Sequence, residues 1–301
     1  MLESRKPARF GLATALAIGA VACSDAPTTP KSRGDDVRLL APGDGEVPWT
    51  PGDWTAGSNR TASLEMRLAL DLGYAGAPIP GQRLTTVTGL RVEALGPRRA
   101  KVELASLDVR PLDPDPEREA VIRADFDAQS PVGVVAEIDA DGGTPRLRFE
   151  IPRGASGAVR AYLDHLRLAL ELLVVPWPAD EVSRGARWTR SGDVDVARMR
   201  LSENTTFSLD ELEADRAEIG VDGVFVLRDP ELDLDGLPAG ARCRLRSVDA
   251  AVSGRLETTA DAPLPASGRL DLELRLTADV THEGSTEPLD GRLDLRIVLG
   301  P

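Results

Sequence analysis

Near the C-terminus, Leu270, Leu272, Leu274, Leu276, Ala278 and Val280 alternate with Arg269, Asp271, Glu273, Arg275, Thr277 and Asp279, and Leu293, Leu295, Ile297 and Leu299 repeat the pattern. A period of two held this long commits the chain to extended β-strands, because successive strand side chains point to opposite faces. One apolar and one charged face means antiparallel sheet with a single dry side, which must meet a core, a lid or a ligand. The charged side also discourages edge-to-edge pairing. Far upstream, Leu64, Met66, Leu68, Leu70 and Leu72 alternate in the same way with Ser63, Glu65, Arg67, Ala69 and Asp71.

Between these stretches the reading stays β, with one exception. Residues 73–81, with Pro78 and Pro80, read as a hairpin loop, and strands follow at about 84–94 and 100–110. The alternation slips between Leu104 and Leu107, as at a β-bulge. Residues 111–119 read as a surface loop, 120–128 and 132–139 as strands, and Leu147, Phe149 and Ile151 as the inward face of another. The exception is residues 156–174. There Val159, Tyr162, Leu163, Leu166, Leu170 and Leu173 fall on one helical stripe, although the leucines from Leu166 onward also alternate as a strand would. Helix is the preferred reading, stopped by Val174-Val175 and then Pro176 and Pro178.

All four tryptophans lie in two similar runs, Val47-Pro48-Trp49 through Trp54 and Val175-Pro176-Trp177 through Trp188. Thr85-Thr86-Val87-Thr88 is echoed by Thr205-Thr206-Phe207-Ser208. Two accounts remain open, an internal duplication and a chance likeness of common residues. The expected fold is mainly β (α+β): two similar halves of long antiparallel, curved sheet, 47–174 and 175–301, with one amphipathic helix near the middle. Trp177 and Trp188 are the expected packing anchors between the halves.

The central run, Val175-Pro176-Trp177-Pro178-Ala179-Asp180-Glu181-Val182 closing on Gly185-Ala186-Arg187-Trp188, resembles an uncharacterised family of bacterial lipoproteins. That family carries a Pro-x-Pro-x-x-x-Val-x-x-Gly-x-x-Trp centre between two β-rich halves. Trp177 stands here where the family usually has Leu. The resemblance covers the mature chain loosely and implies architecture, with no activity attached.

The N-terminus reads as an export signal over residues 1–22: Arg5, Lys6 and Arg9, then an uncharged stretch from Phe10 to Ala22. It is shorter than the ~20 residues that span a bilayer as a helix. Ala20-Val21-Ala22-Cys23 resembles a lipobox, so Cys23 is the expected lipidation site, against ordinary cleavage after Ala22 beside an incidental cysteine. By the same resemblance, Ser24 after the cysteine favours the outer membrane, with the protein facing the periplasm. Residues 23–46, rich in Ser, Thr, Pro, Gly and Asp, then form a lipidated flexible tether.

The net charge is −13, and removing residues 1–22 takes away three basic residues and one acidic one, leaving −15. Nucleic acid is excluded as a partner, because phosphate binding needs clustered Lys/Arg. The same charge is repelled by anionic headgroups, so membrane attachment is through the lipid anchor alone. The two histidines, His165 and His282, have no neighbouring ligands of the kind zinc requires and read as structural or exposed. Neither a nucleophile elbow nor a phosphate-cradling glycine loop occurs. Glu137-x-Asp139-x-Asp141-Gly142 and Glu231-x-Asp233-x-Asp235-Gly236 open like calcium loops but place Arg148 and Arg242 where the bidentate acid belongs. Cys243, on an alternating apolar face with Ala241 and Leu245, reads as core. No catalytic residue, metal or cofactor is expected, and the chain is read as a non-enzyme.

Two roles compete. The first choice is a structural or interaction module of the envelope with a protein partner. The alternative is a carrier of an apolar, acyl-like ligand held between sheet and helix, on a face drawn from Tyr162, Leu163, Leu166, Leu170, Leu272 and Leu274. They differ in one observable: a carrier needs a dry cavity of about 300 Å³ or more under the helix, and a module has a filled core.

Overall fold

The computed structural model describes residues 36–45, 47–49, 54–79, 83–113, 116–128, 131–139, 146–149, 155–196, 199–213, 215–232, 240–259 and 261–301. The export signal, Cys23 and most of the tether lie outside the described residues, as do the aspartates and glycines at 141–142, 233 and 235–236.

The alternating stretches are strands of one antiparallel sheet of 14 strands. The first half of the chain contributes β2 (Asn59–Tyr74), β4 (Arg83–Gly96), β5 (Arg99–Pro111), β6 (Val135–Asp139) and β7 (Arg146–Phe149), in that order. The second half contributes β8 (Arg187–Val196), β9 (Met199–Glu213), β10 (Arg216–Leu227), β12 (Arg242–Thr259), β13 (Ser267–His282) and β14 (Ser285–Gly300). Short β3 (Ala77–Ile79) turns back on β2, and β11 (Glu231–Leu232) lies on β12. The two halves share the sheet, because the last strand pairs with the first long one: Leu295 sits opposite Leu68 and Ile297 opposite Met66.

Several local readings hold at the level of single residues. Ser106 faces Gly89 while Leu104 faces Leu90, so Ala105 is the extra residue of a bulge at the expected slip. The β13–β14 hairpin turns at Glu283 and Gly284, both with positive φ, beside His282. Cys243 is a buried free thiol, pushed up to about 11 mainly by burial, with Asp279 and Glu231 adding to the effect.

Helix α2 (Gly157–Leu173) is helix and not strand. Ser156 caps it, its Oγ accepting from the Val159 amide at 3.3 Å, and the chain leaves it at Val174 in extended conformation before the prolines. Because β7 and β8 stand near opposite ends of the strand order, their connection must cross a face of the sheet, and α2 is that connection. Ala161, Leu168 and Leu172 are buried in addition to the expected stripe. A helix covered on so many sides is enclosed by its sheet.

Two readings are corrected. Residues 116–128 form a helix, α1 (Pro116–Ala128), where loop and strand were expected. Pro116 at its first position and Glu117 and Glu119 in its first turn favour a helix start, and Ile122 and Phe126 form an i, i+4 pair facing inward. The alternation of Ala120, Ile122, Ala124 and Phe126, with β-branched Val121 and Ile122, mimics a strand. The tether is also shorter than expected: β1 (Asp36–Ala41) pairs with β8, Leu39 opposite Trp188, so the folded region includes residues 36–41. Its backbone hydrogen bonds are satisfied by the sheet edge, which a flexible tether would leave to water.

Candidate functional site

The feature left after packing is a cavity of about 450 Å³ between the helices and the sheet. Its floor is the seam of the two halves: Leu295 of β14, Met66 and Leu68 of β2, and Leu84 and Thr86 of β4. Leu295, Leu68 and Leu84 lie in one cross-strand row, and Met66 and Thr86 are paired in a neighbouring position. Its roof is α1, through Val121, Ile122 and Phe126, and the first turns of α2, through Ala158, Ala161, Tyr162 and His165. Native interiors are packed nearly as densely as organic crystals, so a space of this size is well beyond a packing defect and within the range of small-molecule sites.

Tyr162 fixes the corner where roof meets wall. Its hydroxyl shares a 2.8 Å hydrogen bond with Thr88 Oγ1, and its ring meets Phe126 edge-on at 5.7 Å between centroids. Burial raises the phenol above its ordinary range and outweighs the opposing bond from Thr88, so the hydroxyl is protonated. Thr86, one inward position along β4, is also buried, and its Oγ1, shut off from solvent, has no hydrogen-bond partner among the described residues. His165 is half-buried and borders the cavity. Its pKa is nevertheless lowered, chiefly by loss of solvent, against the raising effects of Asp164 and of a hydrogen bond with the Ala161 carbonyl.

Of the six residues expected on a ligand or lid face, Tyr162 lines the cavity. Leu163, Leu166 and Leu170 are wholly buried in packing beneath α2, and Leu272 and Leu274 belong to the core on β13. Those five are corrected from ligand face to core: the stripe that faces the sheet is consumed by it. The residues that line the space were mostly not singled out from the sequence. Alternation alone puts Met66 and Leu68 on the dry face, Thr86 stands out only in the threonine echo, and His165 reads as structural or exposed.

The expected anchors occupy a different place. Trp177 stacks on Trp188 at 5.2 Å, Trp188 on Phe207 at 5.8 Å, and Trp49 meets Trp177 edge-on at 4.9 Å. Trp188 Nε1 donates to the Pro176 carbonyl at 2.7 Å, and Trp49 and Val182 exchange backbone hydrogen bonds. The two Val-Pro-Trp runs therefore meet in space. Beside them Arg190 is buried, donating through Nε to Glu203 at 3.1 Å, through a second nitrogen to the same carboxylate, and to the Glu171 carbonyl at the end of α2 at 3.2 Å. Thr205 donates to the same Glu203 oxygen. The threonine echo does not place equivalent residues alike: Thr86 faces inward while Phe207, and not Thr206, faces the core on β9.

Among the described lining residues the side chains are apolar apart from Thr86, Tyr162 and His165. Compared with known proteins, the chain matches no family model and no curated protein sequence.

Proposed function

We propose that this protein is a non-enzymatic, lipid-anchored carrier or binder of a single apolar, acyl-like ligand, tethered through Cys23 to the outer membrane and facing the periplasm. The cavity under α1 and α2 is the observation that carries this reading, because a structural or interaction module needs no such void. Its lining of Met66, Leu68, Leu84, Ile122, Phe126 and Leu295 supplies apolar surface on floor and roof. Each methylene moved from water into such a site contributes about 0.8 kcal/mol. The tether would hold the mouth of the site clear of the bilayer without a cationic docking face, in keeping with the net charge of −13.

The test is organic extraction and native mass spectrometry of the full chain carrying Cys23→Ala, purified without detergent. An acyl-bearing molecule at one per chain is expected. Recovery of empty protein that also takes up no added single-chain lipid returns the interaction module to first place.

A further inference from the structure

Among the described residues, the cavity is open at one end and blind at the other. Its floor crosses successive inward rows of the sheet: Leu68 beside Leu84, then Met66 beside Thr86, then Leu64 beside Thr88. On β2 exposure falls along these rows from 7% at Leu68 to 3% at Met66 and 0% at Leu64, and on β4 it falls from half-buried Leu84 to fully buried Thr88. The first two rows line the space and the third does not. The roof shows the same gradient: Val121 is 70% exposed, while Phe126, little more than a turn further along α1, is 7% exposed. A pair of rings closes the blind end, Phe126 edge-on to Tyr162, with Tyr162 held over the third row by its hydrogen bond to Thr88. That bond pairs the two hydroxyls with each other, so the blind end suits hydrocarbon. A polar head stays in water at the mouth, beside Leu84 and Val121.

Resting on the carrier reading, we propose that the cavity takes one unbranched hydrocarbon chain of medium length, tail first, and that Phe126 and Tyr162 are the stop that limits its length. The volume sets the scale. At roughly 30 Å³ per non-hydrogen atom, as in liquid water, 450 Å³ holds about 15 such atoms. Each methylene that enters strengthens binding about fourfold. Once the tail meets the stop, further methylenes remain in water at the mouth and add nothing. Phe126 and Tyr162 therefore determine which chain lengths are held best, while Met66, Leu68, Leu295 and Ile122 supply apolar surface to any chain that enters.

The experiment titrates the lipid-stripped full chain carrying Cys23→Ala with saturated lysophosphatidylcholines from octanoyl to octadecanoyl, below their micelle concentrations. Binding is read by displacement of a polarity-sensitive fluorophore. Affinity should climb about fourfold per methylene and level off near about 14 carbons. Phe126→Ala removes a ring from the stop and should move that plateau to chains longer by about two carbons or more. Octanoyl binding should stay nearly unchanged, because so short a chain does not reach the stop. Phe126→Leu keeps the roof packed and should move the plateau the same way by less; it decides alone if Phe126→Ala fails to fold. A plateau that stays in place in the folded variants, or a uniform loss at every chain length, overturns the role of the stop. Affinity that still climbs through octadecanoyl in the parent protein overturns the length limit and leaves the carrier reading standing. Failure of every chain length to bind overturns the carrier reading together with this one.

Discussion

The two ends of α2 are treated in opposite ways. At its C-terminal end the packing is close: Trp177, Trp188 and Phe207 stack in series with Trp49 edge-on against Trp177, Arg190 lies over the Phe207 ring at 5.8 Å, and its guanidinium is taken up by Glu203 and the Glu171 carbonyl. At its N-terminal end the helix stands off the sheet, and with α1 it roofs the cavity over the β14–β2–β4 seam. The helix is therefore clamped at one end and raised at the other. The difference teaches where to look for function: at the end where close packing fails, with the well-satisfied polar cluster at the other end holding the cover in place.

If the clamp is as described, Trp188→Ala should give the largest effect. Trp188 is fully buried, stacked on both sides and hydrogen-bonded to Pro176, and its truncation costs about 3–5 kcal/mol. A urea titration measures this, and a loss below about 1 kcal/mol would remove the clamp from the comparison.

Next in size is a pH effect at the same end. The Glu171 carboxyl is raised to about 7, first by burial, with Glu203 and Asp195 adding to it and Arg167 and Arg190 opposing. Its ordinary value is 4.5, so between these two values the folded chain holds the proton and the unfolded chain releases it. Stability from this group is therefore complete below about 4.5 and is lost as pH rises towards 7, by on the order of 3 kcal/mol. Glu171→Gln should gain that stability at pH 8 and gain nothing at pH 4. The difference between urea midpoints at the two values reads the effect, and a variant that parallels the parent protein at both values would refute it.

The open end predicts a small stability effect with a large binding effect. Ala158→Leu, on the roof, places a branched side chain into the cavity and should change stability by no more than about 1 kcal/mol. Affinity for 1-decanol should fall at least about tenfold. A variant that binds as the parent does would show that the ligand sits elsewhere.

The legible part of this fold was whatever depended on period alone. Alternation of leucines placed β2, β4, β5, β13 and β14, and a slip in that alternation placed the bulge at Ala105. The stripe from Val159 to Leu173 placed α2. The reading failed where two periods coincide. Over 120–128 the alternating apolar residues satisfy a strand as well as a helix, and β-branched Val121 and Ile122 add to the likeness. It failed again at β1, whose short polar-flanked sequence gains strand character only from the free edge of β8.

The site was much less legible than the fold. That Thr86 and Thr88 face inward follows from alternation. That Thr88 finds Tyr162 while Thr86 finds no partner among the described residues depends on how high α2 stands above β4. His165 borders the apolar stripe and reads as incidental until α1 closes the space beside it.

By itself, then, the amino-acid order determined an antiparallel, mainly β protein with one dry sheet face, a proline-stopped helix to cover it, and tryptophans at the joint. Local periodicity and backbone chemistry suffice for that. Only the tertiary structure decided that β14 closes on β2, that α2 must cross the sheet to link its opposite ends, and that the cover is filled at one end and hollow at the other. A cavity is an absence between elements far apart in sequence, and no local pattern encodes the distance at which they stop.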